Sequence, residues 1–211
     1  MTQRRIGLTG GIASGKSSVG RLLAARGLPV LDADGYAREA LAPGEPGATA
    51  VLQRYGERVR ALGGGGPDGG RGAVIDRAAL GRIVFADAAE RRWLEALVHP
   101  LVRQRFAAEL QRLVHAPVVV LMIPLLFEVG LESLCSEVWL VDCDPQQQLV
   151  RLMARDGLGE QDARARLAAQ WPLARKRPLA QVLIENRGSP AALAAQVVAA
   201  LDRPAGLPLS P

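Results

Sequence analysis

Gly7-Leu-Thr-Gly-Gly-Ile-Ala-Ser-Gly-Lys-Ser17 is the stretch whose reading decides the fold. Ile6 to Thr9 is a short apolar run with the character of a buried strand. Val19, Leu22 and Leu23 then recur on one face of a helix, with Gly27 as its expected C-cap. Between the two, Gly10-x-x-x-x-Gly15-Lys16-Ser17 is a complete phosphate-binding loop. Its glycines let successive backbone N–H groups curl around phosphate oxygens, and the helix N-terminus adds its dipole. Lys16 is expected to reach the β- and γ-phosphates, and the Ser17 hydroxyl to ligate Mg²⁺. The bland alternative, a glycine-rich turn with an incidental lysine, does not account for the position between strand and helix.

Working outward, Leu28 to Leu31 reads as a second strand ending in Asp32-Ala33-Asp34, so the unit is βαβ and the sheet parallel. Val118 to Ile123, Val138 to Asp142 and Val182 to Ile184 supply three more strands. The fold class predicted is α/β: a three-layer P-loop NTPase with a parallel five-stranded sheet, a helical substrate subdomain and a helical lid. Asp32 and Asp34 are expected to alternate at the carboxyl end of their strand, beside the ligand crevice of an open parallel sheet. An Asp pair there often serves only as a cap or turn. Next to a phosphate loop, Asp34 is favoured as the base that takes a proton from an attacking hydroxyl.

Residues 36 to 115 read as mostly helical. Asp87-Ala-Ala-Glu90 resembles a capping box, and Pro100 is expected to open a new helix flanked by His99 and ended by His115. Gly63 to Gly72, with seven glycines in ten residues, is expected to be a surface insertion without function. Asp144-Pro145 should cap a helix running to about Arg155, a second helix should span about Gln161 to Trp171, and Pro190 to Leu201 should close the domain. On the first of these, Gln148, Arg151 and Arg155 share one face, as a lid over a triphosphate requires; a solvated basic face is the competing reading. Glu128 leaves a strand at the crevice edge, where it suits substrate or metal, and Asp142 is a second Mg²⁺ candidate.

Composition narrows the classes. The 211 residues carry a net charge of +5, which points to an anionic partner, while the 4% aromatic content supplies a poor base-stacking platform for single strands. Of 26 basic residues only Lys16 and Lys176 are lysines, so those two positions are expected to need one. No apolar run reaches the roughly 20 residues of a membrane span. Two cysteines make no disulfide framework and no Cys/His cluster has metal-ligand spacing. A soluble, cytoplasmic protein is expected, with no membrane or nucleic-acid partner, as a monomer or weak homo-oligomer.

The loop, Asp32-Ala-Asp34-x-x-Ala-Arg38, Asp76-Arg77 with Val84-Phe85, His99-Pro100, Pro124-Leu-Leu-x-Glu128 and Gln148-x-x-Arg151-x-x-x-Arg155 occur in one order. In series they resemble the dephospho-coenzyme A kinase family, from about residue 5 to about residue 200. The resemblance implies phosphorylation of the ribose 3′-hydroxyl of dephospho-CoA by ATP with Mg²⁺, the last step of coenzyme A synthesis. It also implies that Gly11, Ile12, Ala13, Ser14, Gly15, Lys16, Ser17, Ser18, Arg151 and Asn186 bind the nucleotide. Ser17 would hold the metal, and Asp34, Lys16 and Arg155 would be catalytic. Asp34, Arg38, His99 and Glu128 would meet the acceptor.

A single kinase domain over 1–203 would then comprise a nucleotide core (about 1–35, 116–145 and 180–203), an acceptor subdomain (about 36–115) and a lid (about 146–179). A frayed tail, 204–211, would follow. The chain departs from the family pattern at Gln181, where Asp is usual, at Arg187 within Asn-Asn-Gly, and at Leu173, where Arg is usual. Another small-metabolite kinase, for nucleosides or nucleotides, is the nearest alternative; a nucleic-acid-dependent ATPase is a remoter one.

Overall fold

Strand β1 (Arg4–Gly10) runs through the glycine loop into α1 (Lys16–Ala24), and β2 (Val30–Asp32) follows. The computed structural model describes residues 3–61 and 74–203, so the Gly63–Gly72 segment and the 204–211 tail lie outside the described residues. The chain divides into two units, Met1–Asp32 with Arg112–Pro211, and Ala33–Gln111. Helix α1 ends at Ala24, earlier than the sequence predicts. Gly27, at φ 80, turns the chain afterwards, and the Leu28 N–H donates back to the Leu23 carbonyl (3.3 Å).

The second unit is helical. The backbone turns helical directly after Asp32, so α2 (Ala33–Ala40) replaces the expected continuation of the strand. Asp34 therefore sits in the first helical turn, where a carboxylate complements the dipole, and does not alternate with Asp32 along a strand. Helices α3 (Pro46–Tyr55) and α4 (Arg77–Ala86) build a core of Ala48, Val51, Tyr55, Leu80 and Val84. The Asp76 carboxylate caps α4, accepting from the N–H groups of Ala78 and Ala79.

Helix α5 (Ala88–Arg112) runs unbroken through Pro100, contrary to the expected break there. Proline removes one N–H and disturbs the preceding turn. Yet Val98, Val102, Phe106 and Leu110 form one buried stripe spaced four residues apart, and burying that stripe holds both halves in one helix. His99 is consequently a mid-helix, half-buried residue, and exposed His115 lies beyond the helix end. The capping box is half realised. Asp87 Oδ1 accepts from the Ala89 N–H (2.7 Å), but Glu90 turns away to Arg54 and Tyr55.

In the first unit, β3 (Val118–Met122), β4 (Glu137–Asp142) and β5 (Val182–Glu185) complete a five-stranded parallel sheet of order β2-β3-β1-β4-β5. Ile6, Leu8, Trp139, Val141 and Ile184 face Val19 and Leu23 of α1 and Leu193 and Val197 of α9 (Pro190–Leu201). After β4, Asp144 caps α6 (Pro145–Asp156) as its sequence predicts, accepting from Gln146 and Gln147 N–H. Helix α7 (Glu160–Ala168) stops short of the predicted Trp171, because the Trp171 N–H leaves the helical pattern for Glu128. A last turn, α8 (Leu173–Lys176), follows. Among the described residues no helix is long and apolar enough to cross a membrane.

Candidate active site

The loop between β1 and α1 holds two left-handed residues. Gly15, at φ 99, is the N-cap of α1; Ala13, at φ 58, is the non-glycine residue with positive φ among those described. Such backbone costs about 1–3 kcal/mol at a non-glycine position and persists where the surroundings impose it. Left-handed residues in alternation fold successive N–H groups into a concavity for an anion. Among the described residues no side chain caps α1, so a bound anion suits this helix end. Lys16 is buried, with 9% of its surface exposed, whereas Ser17 is open to solvent.

Neighbouring elements press on this loop. Asn186, just after β5, donates from Nδ2 to the Ser14 carbonyl (2.8 Å), and its amide fills the space that a Gly15 side chain would need. Arg151 on α6 donates to the Asn186 carbonyl (3.1 Å). Its other terminal nitrogen, Nη1, is buried and without a hydrogen-bond partner among the described residues, as is the Ser14 hydroxyl. Orphaned donors of this kind beside an anion loop are what phosphate oxygens satisfy. Arg155 turns instead to Asp156 (2.7 Å), which Arg166 of α7 shares (3.0 Å). The Arg155 hydrogen bond holds the Asp156 carboxyl below its usual range.

Beyond the strand ends, Glu128 Oε1 receives Lys176 Nζ (2.7 Å) and the Trp171 N–H (3.1 Å), while Oε2 is buried without a partner among the described residues. Asp142, read from sequence as a second Mg²⁺ candidate, instead receives the guanidinium groups of Arg177 and Arg187, each at 3.0 Å. The three departures from the family pattern therefore have structural occupations. Arg187 neutralises Asp142, Gln181 Oε1 accepts from the Val138 N–H (2.7 Å), and Leu173 is buried. A cavity of about 560 Å³, lined by Gly11, Asp144, Gln148, Leu173, Arg177 and Arg187 among others, opens beside the loop. That volume suits a small-molecule ligand.

Within the helical unit, Asp34 and Arg38 lie one turn apart on α2, so they share a face. The Arg38 carbonyl accepts from Arg77 (3.1 Å). A second cavity, of about 510 Å³, is bounded there by Tyr36, Glu39, Leu101, Gln104 and Arg105 among others.

Sequence reasoning missed one feature of the loop. The Ile12 N–H donates to Gln170 Oε1 (2.9 Å), while Gln148 Nε2 donates to the Ile12 carbonyl (2.8 Å). Helical spacing places Gln148, but nothing local marks Gln170, which lies between α7 and α8. For Lys176 the signal existed in the near-absence of lysine from an arginine-rich chain.

A parallel sheet of this order, with a phosphate loop between its β1 and α1, defines an α/β P-loop fold. Comparison with known proteins narrows the class. A family model described as Dephospho-CoA kinase matches residues 4–191. The dephospho-CoA kinase of Synechococcus sp. (strain CC9605) is 65% identical over 191 residues, covering 90% of this chain and 88% of that protein. That of Gloeobacter violaceus is 48% identical, covering 96% and 94%. The crystal structure of TT1252 from Thermus thermophilus superposes with a TM-score of 0.78 at 39% identity, covering 95% of this chain and 97% of the other. The dephospho-CoA kinase of Campylobacter jejuni gives 0.66 at 27% identity, covering 95% and 96%. The chain belongs to the dephospho-CoA kinase family, and is a kinase.

Proposed function

We propose that the chain transfers the γ-phosphoryl group of ATP to the ribose 3′-hydroxyl of dephospho-CoA, giving coenzyme A and ADP. The observation that carries this reading is the strained, lysine-bearing phosphate loop in a chain of this family. The loop N–H groups and Lys16 hold the β- and γ-phosphates. Arg151, with one unsatisfied nitrogen, adds charge where the transferring group becomes more negative. Arg155 joins it by exchanging Asp156 for phosphate oxygens. The acceptor oxygen forms a bond to the γ-phosphorus as the bond to the β–γ bridging oxygen breaks, and Asp34 accepts the hydroxyl proton. Arg38, His99 and Glu128 are the side chains assigned to the acceptor, Glu128 through Oε2, which has no partner among the described residues.

Among the described residues no three His, Cys, Asp or Glu side chains gather as a metal cage. A donor set of the exposed Ser17 hydroxyl and nucleotide phosphate oxygens is the kind Mg²⁺ accepts, so the site fits it. When bound, the ion would neutralise charge on the β- and γ-oxygens.

Mass spectrometry of dephospho-CoA incubated with ATP, Mg²⁺ and the protein tests the reading. A gain of one phosphate is expected, and Lys16→Ala should not produce it. No gain from a protein that binds ATP would discard this acceptor and lead to a screen of nucleosides and nucleotides.

A further inference from the structure

The two lysines of this arginine-rich chain are both buried. Lys16 belongs to the phosphate loop; Lys176 has no exposed surface and lies outside it. Its ammonium bonds Glu128 Oε1 at 2.7 Å and the Pro124 carbonyl at 3.3 Å. Glu128 Oε1 also accepts the Trp171 N–H, and the Pro124 carbonyl accepts from the hydroxyl of Thr9, on the strand that enters the loop. Removing a charge from water is costly unless partners replace its hydration, and here two acceptors do so. An Arg fork, planar and larger, does not fit a pocket closed around an ammonium.

The six residues before Lys176 are pinned at both ends by this arrangement. At their start, Gln170 Oε1 takes the Ile12 N–H of the phosphate loop at 2.9 Å. Ile12 is held from a second side by Gln148, and its side chain packs against the cluster of Leu149, Leu152 and Ala163. We propose that Gln170 and Lys176 are positioning residues. The buried Lys176–Glu128 pair fixes segment 170–176, and the segment sets the Gln170 carboxamide on Ile12, holding the phosphate loop in the form that receives the nucleotide. This rests on the reading of the loop as the ATP site.

The test is a double-mutant cycle read by ATP affinity in calorimetry, with kcat and KM for ATP measured in parallel. Gln170→Leu, which leaves the core intact, should weaken ATP binding about three- to tenfold and raise KM for ATP more than it lowers kcat. Lys176→Met should weaken it by a similar factor, and Lys176→Arg should not rescue it. Because Lys176 acts through Gln170, the Gln170→Leu/Lys176→Met protein should bind ATP no more weakly than the worse single variant. ATP affinity unchanged in Gln170→Leu, or additive losses in the double variant, would overturn the proposal. Lys16→Ala serves as the control. If it binds and turns over ATP normally, the reading of the loop has failed; if it is inactive while Gln170→Leu matches wild type, only the positioning role has failed.

Discussion

Gly15 carries two demands at once: φ 99, which a Cβ disfavours by about 1–2 kcal/mol, and the Asn186 amide in the place where that Cβ would go. Gly15→Ala should therefore cost about 1–2 kcal/mol of stability from the backbone alone and also push Asn186 off the Ser14 carbonyl. Chemical denaturation and ATP titration of the variant check both; an Ala that binds ATP as wild type does would mean Asn186 holds nothing that matters. The thiols show the opposite kind of residue. Burial pushes Cys143 up to about 11 and Cys135 up to about 12, so neither provides thiolate at neutral pH. Ellman's reagent at pH 8 should leave the native protein unlabelled and modify both thiols after denaturation; labelling of the native protein would show that one side of a sulfur is open.

At the scale of elements, Glu90 adds a polar link to the apolar contact between α3 and α5. Arg54 bonds its two oxygens at 2.8 and 3.0 Å, Tyr55 donates at 2.6 Å, and the Arg54 guanidinium stacks over Trp93 at 4.5 Å. Those bonds, Arg54 first, hold the Glu90 carboxyl well below its ordinary 4.5, at about 2. A depressed folded-state pKa stabilises above the unfolded value and is lost as pH falls through the folded one. The stability difference between wild type and Glu90→Gln should thus shrink as pH drops from about 4.5 to about 2, measured by thermal melts across that window. A difference that stays constant would mean the ion pair contributes nothing.

The same helix shows what could be read in advance and what could not. The phosphate loop, the cap at Asp144 and α9 depend on residues close in sequence, and local chemistry shows in them. The passage of α5 through Pro100 depends on a stripe that is buried only once the chain has folded. The sequence pattern carries the helix to Trp171, yet the Trp171 N–H goes to Glu128, 43 positions away. Ala13 is further from reach still, since an alanine gives no sign of a positive φ. In the candidate site, the residues proposed to meet phosphate are legible because glycine and lysine have few other uses in that pattern; the amides bonded to the loop and the buried Lys176–Glu128 pair come from distant segments.

For the whole molecule, the two units have separate apolar cores, one around Leu8, Val19 and Trp139 and the other around Val51, Leu80 and Val84. The loop and the residues pressed against it belong to the first, Asp34, Arg38 and His99 to the second. Ligands that bind a folded unit raise its opening free energy by mass action, by about 2.7 kcal/mol at a hundred times Kd. Amide hydrogen exchange resolves such effects segment by segment. With ATP alone, protection should rise in α1, α6 and the stretch after β5, and stay unchanged in α3 and α4. With dephospho-CoA alone, it should rise in the helical unit, beginning with α2 and the middle of α5. Protection of the second unit by ATP and of the first by dephospho-CoA would exchange the roles assigned to them, and with them the place of the base.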